Sequence, residues 1–202
     1  LEDDRALQYL SQVNFPTALT GTCRYDNIIQ VDTDNEGAAE KMTTLLIGKG
    51  FRRFAFLVKN MSYNVDRKRH EGFCRALIKN GISEKDQLFY NGSIRMEFLD
   101  AIIENIISKK VECIICGDDE ICTMVMSRLQ AEGYRIPKDV AIASLYNSTN
   151  LDCYSPAVTA VSVAASQMGG TAVRQLIQRL RGENYEKKTM LDYDILFRKS
   201  TN

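Results

Sequence analysis

Apolar residues along the chain fall into short runs separated by longer amphipathic segments, most regularly from residue 34 onward. Runs of four to six β-branched or aromatic residues are typical of buried strands, and apolar residues three or four apart are typical of helices that pack on one face. Strands are predicted at 53–58, 87–90, 111–116, 140–145 and 190–197. Their alternation with helical segments predicts βαβ units and a doubly wound α/β fold with a parallel sheet.

The segments between these strands carry residues that begin and end helices. Asp34 is placed to cap one helix and Gly50 to end it, and Asp118 is placed to cap another that ends at Gly133. A last helix is predicted from about 165 to 181, with inward residues at helical spacing at Met168, Ala172, Val173, Leu176 and Leu180. A loop of about a dozen residues is predicted between strand 140–145 and this helix.

Right-handed crossovers bring all strand-to-helix loops of a parallel sheet to one edge, where open α/β sheets bind ligands. The loops predicted to converge there are 59–69, 91–95, 117–119 and 146–152. Arg69 lies near the start of a helix, where its planar guanidinium can reach a ligand, or it is a surface arginine in a basic run. Asp118 and Asp119 directly follow a strand, and helix capping would explain one of them.

Charge and hydropathy narrow the classes of function. Lysine plus arginine (26) equals aspartate plus glutamate (26), and no basic stripe offers the electrostatic footprint of nucleic-acid binding. No segment has the length of a membrane span and no signal peptide opens the chain, so we expect no membrane partner. Six cysteines, most of them inside apolar runs, fit a reducing cytoplasm.

The sequence contains little that supports a catalytic site or a metal site. Cys113 and Cys116 form a CxxC, but inside an apolar run, and His70 is the only histidine, which we expect to be a solvated helix residue. No glycine-rich phosphate loop follows a strand. The acidic residues 118–120 are consecutive and do not face one another across a cleft. We therefore expect no enzyme activity, no cofactor and no metal.

A series of segments, taken in order, resembles the lactose/galactose repressor (LacI/GalR) family of transcription regulators. They are NFPTALTG (14–21), VDTDNEGA (31–38), LLIGKGFRRFAFL (45–57), RHEGFCRAL (69–77), the segment 118–142, SPAVTAV (155–161) and LFRKST (196–201). The resemblance covers nearly the whole chain. It implies the type I periplasmic-binding-protein-like fold that the effector domains of this family have.

The resemblance also implies a set of effector-binding residues. Arg69 stands at the arginine of the family's R-x-x-GF pattern and Asp119 at the aspartate of its ND pattern, and both commonly bind the effector, often a sugar. Tyr146 stands where an acidic residue is common, and Gly21 where some members carry a ligand-binding aspartate. With Tyr63 in the loop after strand 53–58, these are the expected ligand-binding residues. A tyrosine can stack on a sugar or a base, which leaves the effector class open.

The resemblance further implies the organisation and partners of the protein. It predicts one complete C-terminal lobe (32–161 and 190–202) and part of an N-terminal lobe (1–31 and 162–189), with a helix-turn-helix domain absent from this chain. We expect a homodimer that reads DNA through that domain, under control of a small-molecule effector bound between the lobes.

Two alternatives belong to other classes of function. An exported sugar-binding protein of a transporter is disfavoured by the six cysteines and the closing R-x-S pattern. An enzyme on a flavodoxin-like sheet has only the acidic cluster 118–120 in its favour.

Overall fold

The computed structural model describes residues 4–92 and 96–202. In chain order the elements are α1 (Arg5–Gln12), β1 (Ala18–Thr20), β2 (Ile29–Thr33), α2 (Asn35–Gly48), β3 (Phe54–Val58), α3 (Asn64–Lys79), β4 (Leu88–Asn91), α4 (Met96–Ser108), β5 (Cys113–Cys116), α5 (Asp119–Ala131), β6 (Ala141–Ser144), α6 (Thr149–Cys153), β7 (Thr159–Val163), α7 (Ala165–Leu180), β8 (Lys188–Leu191) and β9 (Tyr193–Leu196). No helix in the described ranges has the length and apolar character that a membrane crossing requires.

The chain divides into two compact units. Unit 1 comprises the residues up to Asp34, Ser62–Val65 and Val163–Tyr193, and unit 2 comprises Asn35–Met61, Asp66–Ser162 and Asp194–Asn202. Each unit has its own sheet. The assignment of unit 1 to an incomplete N-terminal lobe stays a prediction.

Unit 2 is built on a six-stranded sheet of order β4-β3-β5-β6-β7-β9. The pairs β3–β4, β3–β5, β5–β6 and β6–β7 are parallel. Every residue of β3, β5 and β6 is buried, as expected for central strands covered by helices on both faces. The predicted α/β fold with a parallel sheet is confirmed.

Unit 1 contains the parallel sheet β1-β2-β8. Its core joins Ile29 and Val31 of β2 to Ala172 of α7, with Met168 and Leu176 packed at its margin. Two of the inward residues predicted for this helix are wrong, because Val173 is 57% exposed and Leu180 is 63% exposed. The buried face of α7 runs through Met168, Ala172 and Leu176. Val173 lies beside this face, and Leu180 continues its spacing of four residues but is the last residue of the helix, beyond the part that is packed.

Three other predictions about secondary structure need correction. The single strand predicted at 190–197 is two strands in different sheets, β8 in unit 1 and β9 in unit 2, separated by Asp192. The loop predicted after strand 140–145 contains both the short helix α6 and the strand β7. Helix α1 was not predicted; the Asp4 carboxylate caps it by accepting a hydrogen bond from Leu7 N at 3.0 Å.

His70 is not the solvated helix residue that was predicted. Its ring lies 4.3 Å from the ring of Phe89 and 5.8 Å from that of Phe56, measured between centroids. Burial against these rings lowers the pKa of the imidazole. The side chain therefore belongs to the apolar layer between α3 and the edge of the sheet.

Helix α3 lies against α2 with almost no space between their backbones at Gly72. A Cβ atom at this position would overlap the carbonyl oxygen of Glu36. Ion pairs flank the contact, including Lys68 Nζ to Glu36 Oε2 at 3.1 Å and Lys79 Nζ to Glu40 Oε1 at 2.6 Å. This close approach fixes the position of the residues on the first two turns of α3.

The turn between β3 and α3 is closed by the buried carboxylate of Asp66. Its Oδ2 accepts a hydrogen bond from Asn60 N at 2.9 Å. Burial raises the pKa of this carboxyl, although the bond from Asn60 and the charge of Arg69 act in the opposite direction. The folded state therefore binds a proton at Asp66 more readily than the unfolded chain does.

Substitution of Gly72 tests the contact between α2 and α3. Gly72→Ala should lower the free energy of unfolding by about 1–3 kcal/mol, because the added methyl group forces the two backbones apart. Thermal and urea unfolding followed by far-UV circular dichroism measure the loss. Gly48→Ala at the end of α2 is the control: its Cβ meets no atom within 4 Å, so stability should stay level or rise. Equal losses in both variants would contradict the close contact.

The Asp66 carboxyl predicts a pH dependence of defined sign. Since its folded pKa is raised, its contribution to the free energy of unfolding improves as pH falls from 7 towards 4. The wild-type chain should therefore gain stability relative to Asp66→Asn over this range in urea unfolding experiments.

Asp139→Asn is the matched control with the opposite sign. Hydrogen bonds from the side chain and backbone N–H of Arg135 hold the pKa of Asp139 at about 2. Its stabilising contribution is present above the unfolded pKa and is lost as pH falls towards 2. A difference between wild type and Asp66→Asn that shrinks on acidification would contradict the raised pKa.

Candidate functional site

The carboxyl ends of the central strands in unit 2 lie side by side. Leu57 pairs with Cys116, and Cys116 pairs with Ser144, so β3, β5 and β6 end at the same edge of the sheet. The loops that start there include 59–61, 117–119 and 146–148. Of the predicted loop 91–95, residues 93–95 lie outside the described residues.

Arg69 is buried at this edge, with 8% of its surface exposed. Its Nη1 donates to the carbonyl oxygen of Gly117 at 2.7 Å, and its Nε donates to Asn35 Oδ1 at 3.1 Å. The guanidinium thus joins the start of α2 to the end of β5. The alternative of a surface arginine is wrong, because the side chain points into the fold at the predicted edge.

Gly117 makes room for this arrangement. A Cβ atom there would lie 2.9 Å from Val58 Cγ1 and 3.0 Å from the carbonyl oxygen of Leu57, so the end of β5 lies tight against β3. The Gly117 carbonyl is thereby held in place as the acceptor for Arg69.

The two aspartates after β5 have different surroundings. Asp118 is the N-cap of α5: its Oδ1 accepts from Ile121 N at 2.9 Å, and its Oδ2 pairs with Lys59 Nζ at 2.8 Å. Asp119, the first residue of α5, is half-buried and makes no hydrogen bond or ion pair within the described ranges. Capping therefore occupies Asp118, while the Asp119 carboxylate is available to a ligand.

Lys59 was not singled out from the sequence. It lies directly after β3 and contacts both Asp118 and Glu120. Burial by itself would lower the pKa of its ammonium group, but the bonds to the two carboxylates outweigh burial and leave the pKa raised. The ion pairs of Lys59 therefore link the end of β3 to the segment that follows β5. A lysine directly after a buried strand was the available signal, but its partners lie some sixty positions away in the sequence.

Tyr146 follows β6 and is half-buried. The Ser144 hydroxyl donates to the carbonyl oxygen of Tyr146 at 2.7 Å, which closes a tight turn after the strand. Its own hydroxyl has no hydrogen-bond partner in the part of the chain that is described. Arg69, Asp119 and Tyr146 thus lie at one edge of the sheet of unit 2.

The other two predicted residues belong to unit 1. Gly21 has φ of +126°, a conformation that L-residues with a side chain rarely adopt, and its N–H donates to the carbonyl oxygen of Val31 at 2.8 Å. An aspartate at this position would be strained. Tyr63 lies in the segment Ser62–Val65 and is 42% exposed. Their role in ligand binding stays a prediction.

The side chains of unit 2 at this edge suit a ligand rich in hydroxyl groups. Arg69 is a fixed group of donors, and Asp119 is an ionisable acceptor without a partner among the described residues. Charged donors and acceptors form strong, short hydrogen bonds with sugar hydroxyls. The described residues contain no cluster of three or more histidine, cysteine or acidic side chains that could hold a metal ion.

Comparison with known proteins places the chain in a family. The model of the periplasmic binding protein-like domain matches residues 43–201. The transcriptional regulator CelR of Thermobifida fusca is 26% identical over 98% of this chain and 60% of its own length. This chain spans between 45% and 60% of the length of the first curated relatives that it matches.

Solved structures agree. A LacI transcriptional regulator from Bacillus cereus subsp. cytotoxis NVH 391-98 has a TM-score of 0.89 and 30% identity, over 98% of this chain and 72% of that one. The complex of CelR with cellobiose has a TM-score of 0.86 and 26% identity, over 98% and 63%. The chain belongs to the periplasmic binding protein-like domain family and, within it, to the effector-binding domains of LacI/GalR-type transcriptional regulators.

Proposed function

We propose that this chain senses a small polar effector, a sugar or a related metabolite, and thereby controls DNA binding by a bacterial transcriptional regulator. The observation that carries the proposal is that a buried, fixed arginine, Arg69, and an available carboxylate, Asp119, lie at the same edge of the sheet. The complex of the related CelR with cellobiose supports a sugar as the class of effector.

The two charged residues account for selectivity. A hydrogen bond to a charged group contributes about 1.5–3 kcal/mol when its partner fits, and a ligand that leaves a buried charge without a partner loses a similar amount. A polyol presents hydroxyl groups that both donate to Asp119 and accept from Arg69. A ligand without hydroxyl groups at these points should bind much more weakly.

Tyr146 broadens the range of ligands. An aromatic ring at the same sheet edge as Arg69 and Asp119 can stack on the apolar face of a sugar ring or on a base. We assign Tyr146 to the ligand-binding residues at this edge, and Gly21 and Tyr63 of unit 1 stay predicted ligand-binding residues. The effector is therefore expected to combine hydroxyl groups with a flat or weakly apolar face.

The regulator, taken as a whole, is proposed to be a cytoplasmic homodimer that binds DNA through a helix-turn-helix domain. The relatives named above are transcriptional regulators, which favours this function over the transport of a sugar. An effector that binds one arrangement of the regulator more tightly than another shifts the population between them, and so changes its affinity for DNA. Catalysis plays no part in the proposal.

Removal of the Asp119 charge tests the site. Asp119→Asn should weaken binding about tenfold or more, because an amide is a poorer acceptor than a carboxylate. Thermal-shift screening of cellobiose, D-xylulose, glucose 6-phosphate and hypoxanthine, followed by titration calorimetry of the compounds that bind, measures the loss. Asp139→Asn, which removes a carboxylate next to the amino end of β6, should bind as the wild type does.

Two results would contradict the proposed site. One is an unchanged dissociation constant in Asp119→Asn. The other is equal weakening by Asp119→Asn and Asp139→Asn, which would show a general effect of charge rather than a contact at the carboxyl edge of the sheet.

A further inference from the structure

One arginine near the end of the chain holds the loop that follows β6. Arg198 Nη1 donates to Asn147 Oδ1 at 2.9 Å and to the carbonyl oxygen of Val158 at 2.5 Å. Its Nη2 forms an ion pair with Asp152 in α6. A single planar guanidinium therefore joins the residue next to Tyr146, the short helix α6 and the start of β7.

The backbone around Arg198 is itself fixed by buried hydroxyl groups. Arg198 N donates to Thr159 Oγ1 at 2.9 Å, and Thr159 N donates to Ser200 Oγ at 2.8 Å. Ser200 Oγ in turn donates to the carbonyl oxygen of Ile142 in β6 at 2.6 Å. Thr159 and Ser200 are fully buried. The arginine therefore projects from a support that is anchored to two central strands, β6 and β7.

The contact with Asn147 also sets the orientation of its amide. A guanidinium carries only donors, so the oxygen of the Asn147 amide must face Arg198 and the NH₂ group must face away. Within the described residues this NH₂ group has no hydrogen-bond partner, and neither has the hydroxyl of the adjacent Tyr146. Both groups follow β6 directly, at the sheet edge that carries Arg69 and Asp119.

We propose that Arg198 is a positioning residue for the effector site: it holds the Tyr146–Asn147 segment in place and turns the Asn147 NH₂ group towards a hydrogen-bond acceptor on the effector. This inference rests on the proposed function, which assigns the segment to the effector. The chain passes from unit 1 to unit 2 between Tyr193 and Asp194, shortly before Arg198. The arginine therefore connects the segment that has just crossed between units to the loop that the proposed function assigns to the effector.

A local reporter separates positioning from general stabilisation. The chain has no tryptophan, so Tyr146→Trp introduces a single tryptophan as a fluorescent reporter in the segment that Arg198 holds. Its emission maximum and its quenching by acrylamide report the exposure of this segment in the full 202-residue chain, well below the melting temperature and without any ligand. Loss of global stability alone leaves both signals unchanged.

In this background Arg198→Gln should move the emission to longer wavelength and increase quenching, because the segment is released to solvent. Asn147→Ala should act in the same direction. Adding Asn147→Ala to Arg198→Gln should cause no further shift, since both changes break the same hydrogen bond. Asn147→Asp should leave the emission as in the parent, because a carboxylate also accepts from the guanidinium.

Two variants serve as controls for the fluorescence measurement. Ser148→Ala changes a residue of the same loop. It removes a buried hydroxyl oxygen that has no hydrogen-bond partner among the described residues, so it should leave the fluorescence unchanged. Arg135→Gln removes an arginine that pairs with Asp139, just before β6, and should also leave it unchanged.

The proposal is overturned if Arg198→Gln lowers the melting temperature while the emission and quenching of Trp at position 146 stay as in the parent. If Arg198→Gln does not fold, the comparison at Asn147 decides: a shift in Asn147→Ala but not in Asn147→Asp supports the proposal, and any other result overturns it. Because no ligand takes part, this outcome is independent of whether the titration of Asp119→Asn supports the proposed function.

Discussion

The arrangement of the candidate site depends on the hydrogen bonds that Arg69 makes to Gly117 and Asn35. The guanidinium reaches from α3 to Gly117 at the end of β5 and to Asn35 at the start of α2. A buried cation is tolerated only where its donors find acceptors, so the three elements must come together around it. The close packing of Gly72 against α2 makes this approach possible.

The acidic residues near Arg69 have different roles that depend on their positions in the chain. Asp118 caps α5 and holds Lys59, and Asp66 closes the turn after β3, so both carboxylates contribute to local structure. Asp119 extends the same segment by one residue and keeps its carboxylate available. A shift of one position along the chain therefore separates a structural carboxylate from one that suits an effector.

The sequence predicted the elements that repeat a simple pattern. The buried runs at 53–58, 111–116 and 140–145 contain β3, β5 and β6, because central parallel strands are apolar on both faces. The edge that carries Arg69 and Asp119 followed from the chain order of strands and helices. The prediction of a single strand at 190–197 was wrong, because an apolar run does not show which sheet its two halves join.

Features that depend on distant partners were beyond prediction from local sequence. Lys59 pairs with residues on another loop, Asp66 draws its raised pKa from burial, and Arg198 acts on a loop far away in the sequence. His70 is half-buried because β4 places Phe89 beside it. Each of these follows from tertiary packing, which residue spacing along the chain does not encode.

The location of the bound effector tests the central claim most directly. Nuclear magnetic resonance spectra of the ¹⁵N-labelled chain, titrated with cellobiose or the first compound of the screening panel that binds, map the amides that the ligand perturbs. We predict that in unit 2 the largest shifts fall at 59–61, 117–119 and 146–148, the carboxyl edge of its sheet. Shifts concentrated instead at 49–53, 109–112 and 134–139, the segments that lead into β3, β5 and β6, would contradict the account.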